Sequence, residues 1–311
     1  MLARVANNLY WIGRYIERAE CSSRYLEVHY HSTLDGDMYD NNDFVLRSIL
    51  YMSQTEWNTQ FGLSEVEILQ EVLYNTANPS SVASMIYKTR ENGRSIRNNI
   101  STELWETINK WYFSVKNQMG KSFTVASIFP TIASHRQYVS LLRSTIDNTL
   151  LRNNVWHFIM LGMLVERIQQ VIKMLKSKIS DYNILSENGK NESLLLYQYI
   201  VLLRCVEAYD LHTLQNRGHV MSLSSIFNLI LTNNLFPRSI TFIINNCQYH
   251  YDNIEGRSVF DSSIDQEFTK IINTLNSFKD YGSEENILTL LDNVDNWAQN
   301  LHLKISELYF Q

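Results

Sequence analysis

Arg90, Arg94 and Arg97 stand at i, i+4 and i+7, so a helix through them gathers three guanidinium groups on one face. Guanidinium forks match carboxylate or phosphate geometry. Like charges at this spacing repel mildly unless an anion sits nearby. Glu17 or Glu20 could supply that anion, or a ligand could. Trp105 and Asn109, again at i and i+4, would form the adjoining wall. The plainer alternative is a solvated or internally paired face, with Trp105 simply in the core. Arg14, Glu20 and the three arginines have no like-charged counterpart elsewhere in the chain.

A second constellation occurs twice. Gly13, Glu17, Glu20 and Arg24 form one helix stripe, and Gly162, Glu166, Gln169 and Lys173 repeat it at a constant offset of 149. Glu17-Arg18 and Glu166-Arg167 sit inside the two copies. A glycine inside a helix costs about 1 kcal/mol relative to alanine. Close approach of another backbone is the usual compensation, so the two helices are expected to cross antiparallel near Gly13 and Gly162. Glu17 could meet Arg167 there, and Glu166 could meet Arg18. The plain reading is a set of buried ion pairs that fixes helix register; the functional one is a polar pocket at the crossing.

Other chemistry finds little support. A carboxylate-bridged dimetal bundle needs Glu-x-x-His pairs, and the chain has none. His29 and His31 are two apart and fall on different helix faces. No serine or cysteine stands in a nucleophile elbow, and no glycine-rich phosphate loop is present. No catalytic residue, metal ligand or cofactor is therefore assigned. Net charge is −5, which gives no electrostatic case for nucleic acid or an anionic membrane. Cys21, Cys205 and Cys247 lack metal spacing and read as reduced core thiols of a cytoplasmic protein.

The elements that must position these residues are helices. Three prolines and ten glycines in 311 residues leave long stretches without breakers. Expected helices cover Ala3–Thr33, Asn42–Phe61 and Ser64–Thr76, with a polar turn at Asp35-Gly36-Asp37. Asn78 and Pro79 are expected to launch a helix to Asn98, and Ser101 with Glu103 a restart. Pro130 marks the next start, leading into a long pattern from Ile132 to Ile179 that is bent or interrupted. Ser186–Asn191 reads as a loop. Later helices fall at Ser193–Leu214, Leu223–Leu231, Pro237–Ile254, Ser263–Phe278 and Glu284–Phe310. The core face of the first helix is Leu9, Ile12, Ile16, Ala19, Ser23 and Leu26. Its repeat is Phe158, Leu161, Val165, Ile168, Ile172 and Leu175.

The echo extends further. Pro79-Ser80-Ser81-Val82 and Pro237-Arg238-Ser239-Ile240 each follow an apolar helix at an offset of 158, and Gly62 and Gly218 differ by 156. An offset that drifts one way along the chain suggests an ancient duplication. The expected fold is an all-α long-helix bundle of two duplicated halves, residues 1–128 and 129–311, packed as one domain over 1–311.

The opening Asn8-Leu9-Tyr10-Trp11-Ile12-Gly13-Arg14-Tyr15-Ile16-Glu17-Arg18-Ala19-Glu20 resembles the signature of the bacterial alpha-E domain family. Arg90-Glu91-Asn92-Gly93-Arg94 leading to Arg97, Ser101, Leu104-Trp105 and Asn109 fits it too, as do Leu161-Gly162 leading to Glu166-Arg167, and Phe236-Pro237-Arg238-Ser239. Gly93 and Met163 depart from the usual pattern. The resemblance implies a helical protein that accompanies ATP-grasp ligases and transglutaminase-like proteins in bacteria. It implies an accessory or binding role in amide ligation or peptide modification, toward a carboxylate or peptide substrate or the partner enzyme. Arg14, Arg90, Arg94 and Arg97 are the expected contacts, with Glu17, Glu20, Trp105 and Asn109 shaping the pocket. Two alternatives stay open: an enzyme with a Glu/Arg acid–base site between the repeats, and a structural oligomerisation module.

Overall fold

The computed structural model describes residues 1–34, 42–55, 64–119, 124–187, 192–217, 221–256, 262–279, 281 and 283–311. Those residues form thirteen α-helices and no strand, as the breaker-poor sequence leads one to expect. The expected Asp35-Gly36-Asp37 turn, Gly62, Gly218 and residues 188–191 of the expected loop lie outside the described residues.

The chain divides into two compact units, Met1–Met163 and Leu164–Gln311. The first contains α1 (Ala3–Leu34), α2 (Asn42–Ser53), α3 (Glu65–Tyr74), α4 (Val82–Ser95), α5 (Thr102–Lys116), α6 (Val125–Thr149) and the opening turns of α7 (Asn154–Glu187). Within it α1, α4, α5 and α6 each pack against two of the others, α4 and α6 both lying on α1 and α5 joining them. The second unit contains the rest of α7, then α8 (Glu192–Cys205), α9 (Tyr209–Gln215), α10 (Leu223–Thr232), α11 (Ile240–Asp252), α12 (Ser262–Ser277) and α13 (Glu284–Tyr309). This division by packing falls inside α7, whereas the division by sequence echo falls at 128/129.

Apolar periodicity forms the core. Leu9, Ile12, Ile16, Ala19 and Leu26 are buried on α1, and Ser23 on the same face returns its hydroxyl to the Ala19 carbonyl. Phe158, Leu161, Val165, Ile168, Ile172 and Leu175 are likewise buried on α7. Each large apolar side chain removed from water contributes about 1.5–3 kcal/mol.

Helix ends account for most departures from expectation. Pro79 does not start α4: Asn78 Oδ1 accepts from Ser80 N in a tight turn, and Ser81 caps the helix by accepting from Ser84 N. Pro237 behaves alike, with Ser239 accepting from Phe242 N at the start of α11. Pro130 lies inside α6, which starts at Val125 behind the Thr124 cap. It sits on the exposed face, where water can take the carbonyl it leaves over. The long 132–179 pattern is interrupted at 150–153, where Asn153 Oδ1 accepts from Val155 N to begin α7. The α2 helix stops at Ser53, earlier than expected, with Gln54 in the left-handed region at φ 52°. The expected 193–214 helix is split into α8 and α9 by Glu207, also left-handed at φ 57°.

Candidate functional site

Two polar clusters form in the first unit, and the sequence had joined them into one. The first is built on α1. Glu17 is fully buried, and Glu20 and Arg24 nearly so. Arg24 Nη1 donates to Glu20 Oε1 at 2.6 Å, and Arg143 Nη2 from α6 donates to Glu17 Oε2 at 2.6 Å while lying 3.7 Å from Glu20 Oε2. Arg24 Nη2 also reaches Cys21 Sγ at 3.4 Å, and that sulfur lies 3.5 Å from Glu20 Oε2. Arg14 is buried beside them; its Nη1 donates to Tyr10 Oη at 3.1 Å and its guanidinium lies 5.4 Å from the Trp11 ring centre. Glu17 and Glu20 each meet a guanidinium, from Arg143 and Arg24, and that pairing is what lets the carboxylates be buried.

Glu17, Glu20 and Cys21 bring three potential metal-ligand atoms within 4.8 Å of one another. The same carboxylate oxygens are held by two guanidinium groups, whose charge would repel a cation. The donor set therefore fits arginine better than a metal ion. Sequence reasoning missed Arg143. A usable signal was present: Arg136 and Arg143 are seven apart on α6, and Arg136 pairs with Glu27 as Arg143 does with Glu17.

Gly13 and Gly162 lie where the backbones of α1 and α7 touch, as their helix-interior placement suggests. A Cβ on Gly13 would stand 2.0 Å from Ile159 O and 2.9 Å from Met163 N. One on Gly162 would stand 2.0 Å from Tyr10 O and 3.3 Å from Arg14 N. The contact is reciprocal: each partner pair is the other shifted by 149 positions.

The second cluster lies on α4 and α5. Arg90 Nε donates to Asn109 Oδ1 at 2.8 Å, and Asn109 Nδ2 donates to the Trp105 carbonyl at 2.9 Å. The Arg90 guanidinium lies 4.6 Å from the Tyr112 ring centre and 5.9 Å from that of Trp105. Arg97 is not on the α4 face, because the helix ends at Ser95 and Arg97 begins a single 3₁₀ turn; its guanidinium still lies 5.9 Å from Trp105. Arg94 is exposed and forks onto Glu91 Oε2 through Nε at 2.9 Å and Nη2 at 2.7 Å. Glu91 Oε1 also takes Arg90 Nη1 at 2.9 Å. The anion that relieves this face is thus Glu91, a neighbour in sequence that the expectation of an α1 carboxylate passed over. A Cβ on Gly93 would meet Ile108 and Trp105 at an ordinary 3.4–3.5 Å, so no close approach requires that glycine.

Beside this cluster an apolar groove of about 550 Å³ runs between α4 and α5, with Ala83, Ile86, Val115 and Met119 in its walls and Lys88, Tyr112 and Lys116 at its edge. Tyr87, which lines it, and Phe113, one turn-face away, are both about half exposed. The Lys88 ammonium lies 5.6 Å from the Tyr15 ring; burial first, and then the Arg18 charge, hold its pKa below the ordinary lysine value. On the opposite flank of α5 a shallow depression of about 630 Å³ is lined by Asn109, Phe113 and Tyr138, among others.

In the second unit Glu166 is fully buried and accepts from Gln170 Nε2 at 2.7 Å. Arg167 is half-buried, and its charge partly offsets the burial that raises the Cys247 thiol well above the ordinary range. Arg238, of the Phe236-Pro237-Arg238-Ser239 passage, donates through Nε at 3.0 Å and Nη2 at 2.6 Å to Glu207 Oε2. It thereby clamps the left-handed residue that separates α8 from α9. All three cysteines are buried and unbridged.

Fold and clusters together define an all-helical protein with a fully buried glutamate on each of its two longest helices. The chain matches Alpha-E, described as a predicted alpha-helical domain with a conserved ER motif, over residues 1–310, and it belongs to that family. Glu17-Arg18 and Glu166-Arg167 are the two Glu-Arg steps in the sequence. No curated protein and no solved structure matches the chain. No helix among the described residues is long and apolar enough to cross a membrane.

Proposed function

We propose that this chain is an accessory binding protein of a bacterial, cytoplasmic ATP-grasp amide-ligation or peptide-modification system. In this reading it receives an acidic peptide segment, from a substrate or from the ligase itself, on the α4–α5 face of the first unit. The observation that carries it is the pairing of an apolar groove with a cationic edge: Lys88 and Lys116 line the groove, and Arg90 lies over the Tyr112 ring beside it. An apolar side chain would anchor in the groove while carboxylates meet the edge. The buried α1 carboxylates already hold guanidinium partners, so Arg14, Glu17 and Glu20 act here as architecture and Arg90, Trp105 and Asn109 as the contact surface. The link to ATP-grasp and transglutaminase-like partners rests on the family resemblance. We infer also that the halves arose by duplication. In support, α1, α2, α3, α4, α5 and α6 recur as α7, α8, α10, α11, α12 and α13 in the same order and with similar lengths.

Co-purification from the native host, with mass spectrometry of what is retained, tests the proposal. The unaltered chain should retain an ATP-grasp ligase or its peptide substrate. The double charge reversal Lys88→Glu/Lys116→Glu should lose it while remaining folded by circular dichroism. Retention of no such partner, together with ligation that proceeds unchanged without this protein, would overturn it.

A further inference from the structure

The second unit contains a cavity lined by none of the residues discussed so far. It encloses about 200 Å³ between α7, α8, α10 and α13. Pockets for drug-sized ligands span about 300–1,000 Å³, so this one suits a single-ring molecule. Its walls are aromatic: Tyr182 and Tyr199 stack with centroids 5.9 Å apart and planes 11° apart, and the buried Phe227 of α10 also lines it.

The polar end is unusual. Lys178 and Asp181 are both buried, and Lys178 Nζ donates to Asp181 Oδ2 at 2.5 Å and to Gln198 Oε1 at 3.2 Å. The second bond settles which way the Gln198 amide lies, since an ammonium can only be met by the carbonyl oxygen. Its NH₂ group therefore carries two N–H donors that no described residue accepts, on a side chain only 2% exposed. Gln198 is itself part of the cavity wall. Buried donors left without an acceptor cost about 1–3 kcal/mol, so a ligand oxygen placed there is favoured.

Charge narrows the class. Asp181 neutralises Lys178, and the remaining charged wall group is Glu284, whose Oε1 accepts from Asn183 Nδ2 at 2.5 Å. An anionic ligand would be repelled, whereas a neutral carbonyl would not. Burial, and the adjacent Tyr182 phenol, raise the Tyr199 pKa, so the Tyr199 phenol stays protonated and uncharged at neutral pH.

We propose that the cavity binds a small uncharged aromatic carboxamide, its ring against Tyr182, Tyr199 and Phe227 and its carbonyl oxygen accepting from Gln198 NH₂. The full chain is titrated with benzamide, benzoate and benzylamine, three probes of one size and different charge, by calorimetry or saturation-transfer NMR. Benzamide should bind saturably and at least tenfold more tightly than either charged probe. Gln198→Glu keeps an acceptor for Lys178 and removes both donors; it should weaken benzamide tenfold or more. Leu223→Trp, at the half-buried rim, should fill the cavity and abolish binding whatever Gln198→Glu does to the fold. No saturable binding, a preference for either charged probe, or unchanged benzamide affinity in Leu223→Trp would overturn the assignment.

Discussion

The stripe on α1 and its repeat on α7 begin alike and diverge within two turns. Glu17 and Glu166 are both fully buried, so a carboxylate at that depth belongs to the architecture of each helix. Beyond it, Glu20 and Arg24 stay buried as a bonded pair, while their counterparts Gln169 and Lys173 are half-buried. Among their partners, Glu17 accepts from a guanidinium of α6, and Glu166 accepts from the Gln170 amide one turn on. An echo in sequence thus marks a common position in the fold, but burial decides what the position is worth.

The sharpest test lies where the copies meet. Gly13→Ala or Gly162→Ala would put a methyl group 2.0 Å from a carbonyl oxygen of the facing backbone, and no rotamer change relieves a clash with backbone. Each should cost more than about 4 kcal/mol and abolish cooperative thermal unfolding. Gly93→Ala is the control. Its Cβ would meet side chains at 3.4 Å or more, so the higher helix propensity of alanine should raise stability by about 0.5–1 kcal/mol. Equal behaviour of all three would show that the reciprocal contact is not required.

Removing the second cation of each stripe separates the copies energetically. Arg24→Leu leaves Glu20 buried without its 2.6 Å partner, a change that costs about 3–5 kcal/mol for a buried pair. Lys173→Leu acts at a half-buried position, where water screens the charge, and should cost no more than about 1 kcal/mol by urea denaturation. If the two losses match, burial does not explain the divergence.

The long sixth helix and the last helix give a comparable contrast in pH response. His135 and Val294 are each the eleventh residue of their helix, and both are fully buried. Trp111 Nε1 donates to His135 Nδ1 at 3.3 Å, and desolvation lowers the imidazole pKa from 6.5 to about 4. The folded state thus binds the proton less readily than the unfolded one. Above pH 6.5 both states are neutral and nothing is lost; between 6.5 and 4 the unfolded chain gains the proton and stability falls with pH. The full loss is roughly 3 kcal/mol at 1.36 kcal/mol per unit. His135→Gln keeps an acceptor for Trp111 and should flatten this part of the stability–pH curve, measured as the difference from the unaltered chain.

Helix content and the buried faces could be read from the sequence because apolar period and scarce breakers act locally. The stripe glycines were legible for the same reason: an interior glycine demands an explanation, and backbone contact supplies it. Helix ends were not, since Ser81 and Thr124, rather than Pro79 and Pro130, define the starts, and a cap hydrogen bond outweighs proline's preference for the first turn. The break at Glu207 was hidden too, because Arg238, 31 residues away, clamps it. The candidate site was legible in its members but not in its grouping. Arg90, Trp105 and Asn109 do meet, yet Arg143 completes the α1 cluster from 126 residues away, hinted at only by its seven-residue spacing from Arg136.

The two arginines one turn apart on α4 give the smallest and most discriminating contrast. Arg94 is 64% exposed, and its fork onto Glu91 works against water and salt. Arg94→Ala should change stability by no more than about 0.5 kcal/mol and leave retention of an acidic peptide partner intact. Arg90 instead lies on the Tyr112 face and holds Asn109, so it orders the α5 side of the groove as well as charging it. Arg90→Ala should cost about 1–2 kcal/mol in unfolding free energy and reduce partner retention, through a cation–π contact and one hydrogen bond to a charged group. Arg90→Lys keeps the charge but not the planar fork. If it restores retention fully, the groove reads charge alone; if only partly, the guanidinium's hold on Asn109 is part of recognition.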